Sequence, residues 1–276
     1  MTDEPLPDIS AEASRLVGEM GSRQVTARLI GGLGVAAHDH APPPPSLVRE
    51  YADIDLVVPR KASRSSTQVL VALGYTANAR FNALHGARRL LFYDLTHRRQ
   101  LDVFVGEFAM CHRLDLDSRL DRHPVALTAA DLLLTKLQIV QLNHKDVLDA
   151  ARLLLNHELT DDEVDAAGPP GADGLSTSRI LSVTAADWGW HTTLSDNLTK
   201  VAHGLPADLA GPRAAVVVAR AEALLEAMAN VPKSGRWRAR SVVGRRKAWY
   251  QLPEEVAGGS SQPGPNAPDP ERTARG

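Results

Sequence analysis

The spacing of apolar and polar positions changes character near residue 126. Before it, short runs of β-branched and apolar residues alternate with helical stretches; after it, apolar residues recur every three or four positions. Ser10 is placed to cap a helix through roughly Met20, with Leu16, Val17 and Met20 on its apolar side. Val25–Ile30 predicts a buried strand running into Gly31-Gly32-Leu33-Gly34 and then the small residues Val35, Ala36 and Ala37, a tight strand-to-helix turn. Pro42 to Pro45 make a stiff extended linker. Glu50–Pro59 predicts the next strand, closed by its proline. A helix follows over roughly Ser63–Leu73 and ends at Gly74. Leu90–Tyr93 and Gln100–Val105 predict a hairpin.

Beyond Leu127, Thr128 is a helix N-cap with Asp131 three residues on, and Leu132, Leu133, Lys136, Leu137 and Val140 follow helical spacing. Asn143–Leu155 predicts a second amphipathic helix with Asp146 in its first turn. Residues 158–175 are acidic, then Gly/Pro-rich, and read as a loop or short helix followed by a turn. Ser176–Ala186, His191–Ala202 and Pro212–Ala229 read as helices, with Asp187-Trp188-Gly189-Trp190 a break carrying two buried aromatics. From Gly258 the composition is that of a disordered tail. The expected fold class is α/β: a mixed sheet with helices over residues 1–126, a helical domain over 127–231, and a basic then disordered C-terminal tail over 232–276.

Composition narrows the setting. Of 276 residues, 43% are hydrophobic and 23% charged, an ordinary globular balance, and the formal net charge of -2 drives the chain neither onto nucleic acid nor onto membrane. The single cysteine, Cys111, excludes an intramolecular disulfide and points to a reducing compartment. Asp3, Glu4 and Asp8 differ from the basic start of a secretory signal, and no apolar run is long enough to cross a bilayer. These features predict a cytoplasmic chain without membrane contact.

The candidate chemistry begins at Asp53 and Asp55. Side chains alternate along a strand, so both carboxylates point to one face and repel unless a cation sits between them. A hard divalent ion such as Mg²⁺, held by one or two carboxylates plus substrate phosphates, is the natural guest; the plain alternative is a solvated strand end. The amides of Gly31 and Gly32, at the start of a helix, suit a phosphate, or form a simple corner. Asp102 lies within an apolar strand and completes a three-carboxylate cluster if that strand neighbours Val57; otherwise it caps an edge or pairs with Arg98 or Arg99. Lys136 sits on or beside an apolar stripe, where a lysine meets an anion or snorkels. Asp146 stabilises a helix dipole at the least. His144 is read as solvent-facing. Residues 233–247 carry Lys233, Arg236, Arg238, Arg240, Arg245, Arg246 and Lys247 with no acid, and Trp237, Trp249 and Tyr250 lie among or beside them. That mixture suits RNA, through phosphate contacts and base stacking, as well as it suits a solvated cationic extension.

Gly31-Gly32, then Asp53-Ile54-Asp55-Leu56, then Asp102 on a later strand resembles the nucleotidyltransferase core of the DNA polymerase beta type. Leu132–Leu137 with Lys136, followed by Lys145-Asp146-Val147-Leu148-Asp149, is similar to the AbiEii-like nucleotidyltransferases, a family that includes toxin components of toxin–antitoxin and phage-defence systems. The resemblance covers about residues 25–155. It departs at Leu33, where many members of the wider superfamily place a serine after the glycine pair. It implies a nucleoside triphosphate such as ATP over Gly31-Gly32, Mg²⁺ on Asp53, Asp55 and Asp102, Asp102 alternatively as base, Lys136 against the triphosphate and Asp146 orienting it. It also implies an acceptor such as the tRNA 3′ end and a possible antitoxin protein partner. Two other functions remain open: nucleotidylation of a small molecule of the aminoglycoside kind, and nucleic-acid binding on a degenerate enzyme core.

Overall fold

The computed structural model describes residues 4–161, 174–209 and 211–252. The loop expected over 158–175 falls mostly, and the disordered tail from Gly258 entirely, outside those residues.

Helix α1 (Ile9–Ser22) leads into strand β1 (Arg28–Ile30), helix α2 (Gly31–Ala36), strand β2 (Asp53–Val58) and helix α3 (Ser63–Ala72). Strand β3 (Thr76–Ala77), helix α4 (Ala79–His85) and strands β4 (Arg89–Asp94) and β5 (Arg99–Val105) complete a five-stranded sheet in the order β1-β2-β5-β4-β3. β2 and β5 run parallel, and every other pair is antiparallel. The strand after Val25 and the aspartate strand are therefore neighbours, and β4 and β5 form the expected hairpin. Two boundaries differ from expectation. The α1 cap is Asp8, whose carboxylate accepts from the Ala11 amide at 2.7 Å, because Ser10 already lies in the helix. β1 is short, although Val25 and Ala27 are buried, since only Arg28–Ile30 reach the β2 ladder.

After the β6 (Glu107–Ala109) and β7 (Arg113–Asp115) hairpin come helices α5 (Ala129–Leu137), α6 (His144–Asn156), α7 (Thr177–Thr184), α8 (Trp188–His203), α9 (Pro212–Asn230) and α10 (Gly235–Val243). The side chains of Thr128, Asn143, Ser176, Asp187 and Ser234 cap α5, α6, α7, α8 and α10. The break expected at Asp187–Trp190 is instead the first turn of α8. Asp187 accepts from the Trp190 amide at 3.0 Å and starts a helix that sequence propensity alone leaves broken at Gly189. Trp190 is buried there, while Trp188 is half-buried. α5 stops at Leu137, so Val140 lies beyond the helix and off its face.

The sheet buries both faces. Leu29, Ile54, Leu56, Leu101 and Val103 pack with α1 and α3 on one side. Ile30, Val57 and Phe104 project to the other side and join one core with α5, α6, α8 and α9. Residue 126 thus marks a change of element type within a shared core. The chain crosses it by pairing Leu29 with Val125 and Leu127 through backbone bonds of 2.9 and 3.0 Å. No helix among the described residues is long and apolar enough to cross a membrane.

Candidate functional site

β2 and β5 set the site. Their parallel register puts Asp55 directly opposite Asp102 and Asp53 opposite Gln100. All four side chains share the face that carries Val57 and Phe104, by strict alternation. Asp102 is buried and fully engaged. Arg89 on β4 donates to Oδ1 at 2.7 Å and Gln100 donates to Oδ2 at 2.7 Å. The partners expected at Arg98 or Arg99 are not the ones used, because Arg99 turns to the opposite face and pairs with Asp94.

Asp55 has no such partner. Its carboxyl makes no hydrogen bond among the described residues. Burial, and then the Asp102 and Asp53 carboxylates, push its pKa from 3.8 up to about 8, against the opposing influence of Lys136 and Arg89. Asp53 itself is exposed at the mouth. The expected three-carboxylate metal centre is therefore not preformed. Among the described residues, no group of three or more His, Cys, Asp or Glu is arranged to hold a metal ion. Asp102 spends its oxygens on Arg89 and Gln100, and Asp53 sits outside. What remains is a set of hard carboxylate oxygens around an unpaired, half-buried acid. That set suits a hard divalent cation that brings further oxygens with it.

The glycine turn packs onto this carboxyl. Gly31 has φ +70°, and a Cβ there would overlap Asp55 Oδ2. A Cβ on Gly32 would lie 2.7 Å from Arg49 Nη2 and 2.8 Å from Tyr51 Cε1. Both glycines are required by close approach, the first by its left-handed backbone as well. α2 is a short helix of 6 residues and carries no capping side chain.

Lys136, in the last turn of α5, meets α6. Its ammonium lies 2.8 Å from Asp149 and 3.2 Å from Asp146, with little solvent exposure. Burial would lower its pKa, but the Asp149 and Asp146 carboxylates outweigh that and raise it. Asp149 also binds Arg49 at 2.6 Å, and Arg49 stacks on Tyr51 with its guanidinium carbon 5.0 Å from the ring centre. Asp149 is thus a central anchor that sequence reasoning did not single out. A signal existed: Asp146 and Asp149 stand three apart and share one face of α6. Arg49, Tyr51 and Arg89 were likewise not singled out, since nothing local says that their partners come from distant strands and helices. His144 is exposed, as expected, and so is Lys145.

The basic segment is folded. α10 lies against α8 and is tied to the turn after α7 by the Ser234 amide on the Ala185 carbonyl at 3.1 Å and Ser234 Oγ on the Ala186 carbonyl at 3.0 Å. Arg240 donates to the carbonyls of Gly244 and Lys247 and covers Trp188, while Arg245 binds Asp196 at 2.7 Å. Of the interleaved aromatics, Trp237 packs on His191 and Trp249 donates to Thr193 at 3.0 Å.

No protein-family model matches this chain, and no match is found among curated proteins.

Proposed function

We propose that this chain is an Mg²⁺-dependent nucleotidyltransferase that moves a nucleoside monophosphate from a triphosphate to an acceptor hydroxyl, with RNA, such as a tRNA 3′ end, as acceptor in a toxin-like or phage-defence role. The observation that carries the reading is the unpaired Asp55 carboxyl, opposite Asp102 and roofed by the Gly31 turn. A half-buried acid beside two other carboxylates is costly without a cation, and a triphosphate with its metal supplies one.

In this reading Asp53, Asp55 and Asp102 would hold the metal, which when bound would shield phosphate charge. The Gly31-Gly32 backbone lies along the phosphates. Lys136, fixed by Asp149 and Asp146, offsets triphosphate charge from the α5 side. The acceptor oxygen forms a bond to the α-phosphorus and the bond to pyrophosphate breaks. Asp102, held by Arg89 and Gln100, completes the metal site or takes the acceptor's proton. An antitoxin-like partner protein belongs to the same reading through its resemblance alone.

A second reading, a nucleic-acid-binding module on an inactive core, is favoured by one observation: both oxygens of Asp102 already have partners. Incubation with each labelled nucleoside triphosphate, Mg²⁺ and total RNA separates the two. Label on RNA that disappears in Asp55→Asn supports transfer. Label on an added aminoglycoside but never on RNA moves the acceptor to a small molecule. No label on anything, with RNA still bound, leaves the binding module.

A further inference from the structure

A cavity of about 760 Å³ lies away from the aspartates, between the first turn of α8 and the chain that follows α10. That volume falls within the range of about 300–1,000 Å³ typical of small-molecule sites. Trp188, Trp190, Trp249 and Tyr250 line it together with Arg236 and Arg240. We propose that this pocket binds an unpaired nucleotide, its base against the tryptophans and its phosphate on Arg236. The pocket deepens the acceptor side of the proposed reaction and is tested by binding, independently of transfer.

Three features carry the inference. First, α10 buries none of its residues fully and packs chiefly through Trp237 on His191 and Arg240 on Trp188. The strap is pinned by polar ties at a few points, among them the Gln251 amide on the Cys111 carbonyl at 3.0 Å and Trp249 on Thr193. It forms one side of the cavity. Gly189 makes room for that wall, since a Cβ there would lie 2.7 Å from the Trp249 carbonyl oxygen. Secondly, the charge of the lining is positive. Asp187 is its one acid, and that carboxylate is spent on capping α8. His112 is neutral, because burial pushes its pKa down to about 4. Arg240 is consumed by carbonyls and by Trp188. Arg236 is exposed at the cavity and has no hydrogen-bond or ion-pair partner among the described residues. Thirdly, the aromatic groups are held in place, with Arg240 over Trp188, Arg245 over Trp249 and His112 against Trp190, so the cavity is offered their edges and remaining faces. Trp188 and Trp249 meet at 80°, and Trp249 and Tyr250 at 78°. An acidic peptide would use the arginine and leave the indoles idle, whereas a nucleotide uses both. Base stacking on such rings tolerates any sequence, because every base has a π-face.

The test titrates the full chain in EDTA with three probes: AMP, a fluorescein-labelled single-stranded RNA of about twelve nucleotides, a length suited to such channels, and the same sequence as a duplex. Anisotropy and intrinsic tryptophan fluorescence are read together. The expected result is tryptophan quenching by AMP, by the single strand or by both, with the duplex at least about tenfold weaker. AMP acting alone identifies a free nucleotide as the ligand, and a preference for the strand identifies a nucleotide of RNA. Arg236→Glu weakens binding about tenfold or more, whereas Arg64→Glu, the same charge change on exposed α3, alters it less than about twofold. Equal loss in Arg236→Glu and Arg64→Glu, binding without quenching, or equal competition by oligoglutamate would each overturn the pocket. Absence of transfer with binding intact removes the catalytic reading and leaves the pocket standing.

Discussion

Asp55→Asn is expected to stabilise the metal-free protein, and to do so increasingly as pH rises. The Asp55 carboxyl titrates near pH 8 in the fold, against 3.8 for the free side chain. A carboxyl with a raised folded pKa leaves stability intact below the unfolded value. It then subtracts from stability as pH climbs from about 4 to about 8, because the native state holds a proton that the unfolded chain has lost. Each pH unit in that window costs about 1.4 kcal/mol, so the step from pH 5 to pH 8 has a ceiling of about 4 kcal/mol. Asp55 is partly open to the cleft and Lys136 lies near it, so screening reduces the expected difference to about 1–3 kcal/mol. Asparagine keeps the volume, carries no charge, and sacrifices no hydrogen bond, since Asp55 makes none among the described residues. Thermal or urea unfolding in EDTA at pH 5 and pH 8 measures the effect. For a chain of this size 1 kcal/mol moves Tm by roughly 2–4 °C, so the variant should melt several degrees above wild type at pH 8 and close to it at pH 5. Millimolar Mg²⁺ with a non-hydrolysable triphosphate should narrow the gap by stabilising the wild type alone. A variant less stable than wild type at pH 8, or a gap that does not change with pH, refutes the reasoning that Asp55 is an uncompensated acid.

Gly31→Ala is expected to cost about 1–3 kcal/mol in urea unfolding, through its left-handed backbone and the overlap with Asp55. Adding Asp55→Ala should recover the overlap part and leave the backbone part. Lys136→Ala leaves Asp149 with Arg49 as its remaining close cation, so it should lose about 2–4 kcal/mol and most triphosphate binding by calorimetry. Lys145→Ala, on the exposed flank, should stay within about 0.5 kcal/mol with binding unchanged. Asp131 is fully buried between Arg119 at 2.5 Å and Arg179 at 2.8 Å, so Asp131→Ala should destabilise by about 3–5 kcal/mol in the same denaturation assay.

What the sequence determined by itself is local. The pairing of Asp53 and Asp55 on one face follows from strand alternation, which needs no neighbour. The turn at Gly31-Gly32, the Thr128 cap and the first-turn position of Asp146 are likewise fixed within a few residues. The limits of α1 and β1 were less legible, because Asp8 outcompetes Ser10 as a cap and ladder bonds, rather than apolar content, end a strand. The meeting of Asp55 with Asp102 was written only as a condition, since the β2–β5 register depends on which faces the helices bury. Local pattern was silent on Arg89 holding Asp102, on Asp149 joining Lys136 to Arg49, and on α10 walling a cavity against α8. These are long-range electrostatic and packing matches. A charged side chain finds its partner only after the sheet and helices have brought distant segments together, and burial then makes each pairing, or the lack of one at Asp55, energetically decisive.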